Sequence, residues 1–306
     1  MDLSSVNFAA LLASLMVAAT PILLAAIGEM VVEKAGILNL GVEGMMITGA
    51  VSGFAVAYTT GSPLLGFIFA ATASAALSMI FAFLTLKLMS NQVATGLALT
   101  LFGLGLSALI GQSFAEARPP VTPKLDIPVL SDLPFFGRVL FSHDPIVYFS
   151  LFLLVAVWAF LKYSRMGLVL RAVGENHDAA HALGYKVVRI RFAAIAFGGA
   201  CAGLGGAHLS LVRVAQWTDG MTAGAGWIAL AIVVFASWKA QRVLFGAYLF
   251  GGITVLQLNL QVAGIPVPVE YLSMSPYIIT IIVLVLISRS SSAAPASLGK
   301  SFHATS

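Results

Sequence analysis

The sequence predicts an all-α fold: a polytopic transmembrane helical bundle of about nine spans (eight to ten), with one or two helices broken or re-entrant. Three observations predict it. Of 306 residues, 59% are hydrophobic and only 9% charged, where a soluble domain carries about 25% charged residues. The mean hydropathy is +0.99. The apolar residues come in long blocks rather than in amphipathic stripes, the pattern of segments that bury every side in lipid.

The blocks fall at 8–27, 45–58, 64–86, 93–111, 145–161, 192–212, 227–238, 243–262 and 276–288. A crossing helix needs about 20 residues, so two blocks are short. The block at 45–58 borrows part of the polar stretch before it, and 227–238 has the length of a half-helix or a re-entrant segment. Residues 1–288 form a transmembrane domain and 289–306 a Ser/Ala-rich tail expected to be disordered.

The cations set the orientation. With 162–191 on the cytoplasmic side, alternation puts twelve Lys and Arg inside and four outside (Arg118, Lys124, Arg138 and Arg213). The C-terminus is then cytoplasmic and, with nine spans, the N-terminus external. The start Met1-Asp2-Leu3 has no basic leader region, so the first block is expected to stay as a span. The loop 112–144 contains Pro119, Pro120, Pro123, Pro128 and Pro134 and reads as an ordered external loop with no helix of its own.

Composition also excludes functions. The net charge of +4 has no basic stripe for nucleic acid. Cys201 is the single cysteine, which excludes an intrachain disulfide, and it reads as a packing residue. Gly299-Lys300-Ser301 matches the end of a phosphate-binding loop, but Ala294 stands where the motif needs glycine, so this chain is expected to bind no ATP itself. His177 and His181 have metal-ligand spacing on a helix but no third ligand nearby in sequence. No cofactor or metal is expected on this chain.

Four stretches carry the functional signals. In 171–191, Glu175-Asn176-His177-Asp178 reads as a helix start and Gly184 as its stop, giving a short helix between two spans that suits docking to a partner or merely connects them. In 28–44, Glu29, Glu33, Lys34, Asn39 and Glu43 sit between apolar blocks. Charge at mid-bilayer costs at least about 2.5–3.5 kcal/mol each, so such residues face a cavity or a partner, unless the stretch is an interfacial loop in water. Gly36, Gly41 and Gly44 permit a broken helix, whose free backbone groups bind polar solutes in transporters. Asn39 and Glu43 are the preferred pathway residues. Asn91, Gln92 and Thr95 either line the path or cap a helix, with Asn91 as N-cap and Thr95 bonding back to the helix. Gly49/Gly53 and Gly199/Gly203 are small-xxx-small pairs, for packing within the chain or between subunits.

The stretch KYSRMGLVLRAVGENHDAAHALGYKV, followed by FAAIAFGGACAGLGGAHL, resembles permease subunits of ABC importers for branched-chain amino acids, ribose-type sugars and nucleosides. GILNLGVEGMMITGA at 36–50, GAGWIALAIVVFASW and LFGAYLFGG extend the resemblance over nearly the whole chain, most closely to the nucleoside-type branch. The resemblance implies a coupling helix contacting an ATP-binding subunit, at Arg171, Ala172, Gly174, Glu175, Asn176, Ala180, Leu183 and Gly184. It further implies a second permease subunit, identical or related, an extracytoplasmic solute-binding protein, a bacterial inner-membrane location among membrane lipid, and ATP with magnesium on the partner subunit. An ion-coupled secondary transporter would need titratable groups in mid-span, which are scarce outside 28–44. An intramembrane enzyme would need a paired catalytic constellation, which the sequence lacks.

Overall fold

The computed structural model describes residues 8–126, 136–262, 268–287 and 294–303. Helices occupy all nine apolar blocks: α1 (Phe8–Lys34), α2 (Val42–Thr60), α3 (Pro63–Leu86), α4 (Gln92–Gly111), α6 (Pro145–Tyr163), α9 (Val187–His208), α10 (Ala225–Phe235), α11 (Ala240–Val262) and α12 (Val269–Ile287). Six of them are long and apolar enough to cross a membrane. The nine-span count is therefore not reproduced among the described residues. The physical reason is clearest in α10, whose 11 residues rise only about 16 Å at 1.5 Å each, half of a roughly 30 Å hydrocarbon core.

Between α4 and α6, the described residues of the expected helix-free loop hold one 3-10 turn (Gln112–Phe114), the five-residue helix α5 (Phe136–Leu140), and a small antiparallel ladder of β1 (Leu125–Asp126) with β2 (Ser142–His143), while 127–135, with Pro128 and Pro134, lie outside them. Between α6 and α9 lie α7 (Arg165–Glu175) and α8 (His177–Ala182). We call the end of the bundle carrying α7 and α8 the basic end.

The core is built on glycine. A Cβ at Gly49 would strike the Gly203 backbone, one at Gly203 the Ala70 carbonyl and Ser74, one at Gly199 Ser78, and one at Gly206 the Met46 carbonyl. Both small-xxx-small pairs are thus consumed inside the chain, where α2, α3 and α9 approach backbone to backbone. Ser74 Oγ donates to the Met45 carbonyl (2.8 Å) and Ser210 Oγ to that of Ala50 (2.8 Å), adding interhelical hydrogen bonds to these contacts. Cys201 is buried, as a packing residue should be. Large apolar side chains face outward on α3, α4 and α6, including Leu64, Leu101, Leu109 and Phe152. On a soluble protein such a surface would drive association, whereas in lipid it is the matched one.

Candidate functional site

The sequence left open whether 28–44 is a water-exposed loop. The structure closes that reading, because Glu29, Glu33, Asn39 and Glu43 are all at most 3% exposed. Glu29 and Glu33 lie within α1 on one face. Beyond Lys34 the chain leaves the helix and climbs beside α4 as irregular backbone. Leu38 N–H donates to Gln92 Oε1 (2.9 Å), at the start of α4. Leu40 C=O accepts from Thr100 Oγ1 (3.0 Å), eight residues further along α4. Helix α2 therefore begins beside Gly96, one to two turns along α4, and the predicted broken helix is the α1–α2 connector. Such backbone survives in a membrane only where its polar groups are met by protein. Here Trp227 Nε1 also donates to Leu40 C=O (3.2 Å) and Gly41 N–H to Asn39 Oδ1 (3.0 Å).

This break meets the half-helix α10. Glu43 Oε1 accepts from Thr222 Oγ1 (2.6 Å) and Gly224 N–H (2.9 Å), and Oε2 accepts from Gly226 N–H (2.7 Å). A carboxylate at a helix N-terminus takes up unpaired N–H groups and sits at the positive end of the dipole. The preceding turn is shaped to reach it: Ala223 and Gly224 both have positive φ, 44° and 83°, a conformation unusual for alanine. At the other end of α10, Trp238 Nε1 donates to Glu33 Oε2. Two buried glutamates thus bracket one half-helix, and Glu29 Oε1 and Glu33 Oε1 have no partner among the described residues.

The pathway candidates divide accordingly. Asn39 and Glu43 are spent on holding the break together, with Asn39 Nδ2 also donating to Met45 Sδ (3.5 Å). Gln92 pins the connector. Asn91 is the N-cap, its Oδ1 accepting from Ala94 N–H (3.0 Å). Thr95 does not bond back to its helix as expected; its hydroxyl pairs with Ser90 Oγ (2.8 Å), the nearer partner once the chain turns before α4. Sequence reasoning missed Thr222, Gly224, Gly226 and Trp238, which are 179 or more residues from their partners; the local signal near them was the shortness of the 227–238 block.

At the basic end, Ser164 caps α7, its Oγ accepting from Gly167 N–H (2.8 Å). Asn176 Oδ1 accepts from Ala179 N–H (2.9 Å) and caps α8, which begins at His177 within the expected 175–178 start. Gly184, at φ 87°, ends it: Gly184 N–H bonds to His181 C=O (2.8 Å) and Tyr185 N–H to Ala180 C=O (3.1 Å), the paired bonds of a Schellman stop. The eight coupling candidates split by face. Gly174 and Ala180 are buried, Gly174 flush against the Lys34 carbonyl at the end of α1, while Arg171 and Ala172 are half-buried. Glu175, Asn176, Leu183 and Gly184 are exposed, Leu183 at 78%, beside exposed Tyr185. His177 and His181 meet Phe302 edge-to-face, at centroid distances of 5.4 and 5.2 Å, and no group of three or more His, Cys, Asp or Glu that could hold a metal occurs among the described residues.

At the opposite end a cavity of about 930 Å³ opens between α1, α11 and the 117–126 stretch, lined in part by Ser14, Thr122, Lys124, Asp144 and Arg213. Asp144 caps α6 through Ile146 and Val147 N–H, and His208 Nε2–H donates to its second oxygen (3.3 Å). Burial works against its ionisation, but the His208 bond and the two capped N–H groups outweigh it and hold the carboxyl below its usual range.

Comparison with known proteins places this geometry. The family described as the permease component of branched-chain amino acid transport systems matches residues 11–285. The chain belongs to this permease family. TsgC13 of Haloferax volcanii, named provisionally as a glucose ABC transporter permease protein, is 42% identical over 91% of this permease and 92% of its own length. The nucleoside ABC transporter permease protein NupC of Lactococcus lactis is 31% identical (90% and 91% covered), and the guanosine ABC transporter permease protein NupQ of Bacillus subtilis 31% (88% and 89%). No solved structure matches the chain. The protein is a multi-pass membrane permease of an ABC importer, and permeases of this kind work with ATP-binding and substrate-binding partners.

Proposed function

We propose that this permease carries a neutral, hydroxyl-rich solute, a nucleoside first and a sugar second, and that the solute moves when the α1–α2 break and half-helix α10 shift together. The observation that carries the mechanism is the contact between Gly174, on the α7–α8 unit, and the Lys34 carbonyl at the start of the break. The basic end, with the C-terminus, is cytoplasmic on the charge bias. There the exposed ridge of Glu175, Leu183 and Tyr185 docks the ATP-binding subunit, which holds the ATP and magnesium; this chain supplies no enzymatic chemistry. ATP closure presses α8, α8 moves the break, and Glu43 and Glu33 carry the motion to both ends of α10. A ligand drives such a change only through its differential affinity for the two states.

A second permease subunit, the same chain or a related one, completes the channel. The solute-binding protein delivers on the opposite face, where the cavity offers the Arg213 and Lys124 donors and the Ser14 and Thr122 hydroxyls to sugar oxygens and base carbonyls. Nucleoside rests on the 36–50 and 224–238 resemblance and on the named solutes of NupC and NupQ; sugar rests on TsgC13.

Leu183→Asp and Glu175→Lys test the docking ridge. Removing an exposed leucine that is buried in the complex costs about 1.5–3 kcal/mol. Leu183→Asp should therefore weaken association with the ATP-binding subunit about 10-fold or more, measured by co-purification at graded subunit concentration, with normal membrane insertion. Unchanged association in both variants would move the docking face elsewhere. A Cβ at Gly184 meets nothing within 4 Å, so a bulky residue there projects into the docking face and adds only the cost of a left-handed backbone, about 1–2 kcal/mol.

A further inference from the structure

The composition of 289–306 reads as a disordered tail, but the described part, residues 294–303, is packed. Ser297 N–H donates to Gly174 C=O (2.9 Å) and Ser297 Oγ to Glu175 C=O (3.2 Å), while His177 N–H donates to Ser297 Oγ (3.4 Å). Gly299, at φ 73°, donates its N–H to Gly36 C=O (3.2 Å). The segment therefore bonds on one side to the α7–α8 junction and on the other to the first residues of the break. Phe302 is buried beneath α8 with Val173, Ala180 and Val187, its ring against His177 and His181. The Gly299-Lys300-Ser301 motif, which binds no phosphate on sequence grounds, has a backbone task instead.

Arg191 locks the three parts. Its side chain is fully buried, and no carboxylate pairs with it among the described residues. Nε donates to Ala35 C=O (3.1 Å) in the break, Nη1 to Lys300 C=O (3.3 Å) in the tail, and Nη2 to His177 Nδ1 (3.2 Å) in α8. Accepting at Nδ1 requires neutral imidazole with its proton on Nε2, which lies 3.6 Å from Asp178 Oδ1. Burial, and then the Arg191 charge, hold the His177 pKa below its ordinary value, consistent with that form. A buried guanidinium is costly unless its donors are satisfied, so this one enforces the joint presence of break, tail and α8.

We infer that residues 294–303 are a strut of the coupling device, with Arg191 as its positioning residue: they make α8 and the α1–α2 break move as one body. The inference rests on the ATP-driven reading above. Without the strut, α8 keeps its exposed docking ridge and its own caps, and the Gly174–Lys34 and Arg191–Ala35 contacts remain, but the bridge that Ser297 and Gly299 make between the α7–α8 junction and the break is lost. The test uses the complete transporter in proteoliposomes, measuring both ATP hydrolysed and labelled nucleoside taken up. A chain ending at residue 293 should still bind the ATP-binding subunit and hydrolyse ATP. Its uptake per ATP should fall about 5-fold or more, the lower edge of ordinary coupling energies. Phe302→Ala should fall in the same direction and Phe302→Tyr should restore the ratio; this pair decides the matter if the shortened chain does not assemble. A strut that only aids folding would lower assembly and leave uptake per ATP unchanged, and that result overturns the inference. Absence of ATP-driven uptake by the unaltered transporter overturns the importer reading itself, and the strut with it.

Discussion

Glu43→Ala should lower the melting midpoint of the purified permease by on the order of 5–10 °C and abolish uptake. Three donors lose their acceptor together: the Thr222 hydroxyl and the N–H groups of Gly224 and Gly226. Leaving one buried donor unsatisfied costs about 1–3 kcal/mol, and the N-terminal dipole of α10 loses its countercharge. The loss is concentrated where a half-helix has no membrane-spanning length to hold it. Glu43→Gln keeps the shape and one good acceptor oxygen, and should fall between. A thermal shift assay in detergent decides the matter. Were Glu43 instead a free solute ligand lining the path, Glu43→Gln would change the KM for uptake and leave the melting midpoint where it is.

The second large effect is Gly203→Leu, which should prevent the permease from accumulating in the membrane at all. A side chain there has to displace the Ala70 carbonyl and Ser74 on α3, and Gly203 is itself the residue that Gly49 of α2 packs against. One extra methylene in a well-packed core costs about 1–3 kcal/mol; an isobutyl group driven into backbone is worse, because three helices share the contact. Gly105→Leu is the matched control. A Cβ at Gly105 meets nothing within 4 Å, so that variant should accumulate normally. The comparison is read by immunoblot of washed membranes, and equal levels of the two proteins would contradict the packing described for α2, α3 and α9.

These two positions show what was legible in the sequence. Apolar blocks and the glycine spacing are local signals, so the helices and the shortness of the 227–238 block could be read directly, while 28–44 stayed open between a broken helix and a loop in water. The caps at Asn91, Asn176 and Gly184 were legible for the same reason, since each acts within a few residues. The roles of Asn39 and Glu43 were not. Their type and position flagged polar groups at membrane depth, but whether such a group faces a solute or a helix end depends on α10, nearly 180 residues away. The 294–303 segment failed for a related reason: Ser, Ala and Gly carry no core signal, yet their backbone N–H groups are what the Gly36 and Gly174 carbonyls need. Arg191 reads in the sequence as one more positive-inside cation, while in the fold it is buried and bridges three segments.

The most direct test of the account is uptake by proteoliposomes that contain the permease and its ATP-binding subunit, with solute-loaded binding protein on one side and ATP on the other. Accumulation of labelled nucleoside should require both ATP and the ATP-binding subunit, persist when ion gradients are collapsed, and be competed by unlabelled nucleoside more strongly than by glucose. Uptake by this chain alone, driven by an ion gradient and indifferent to ATP, would contradict it.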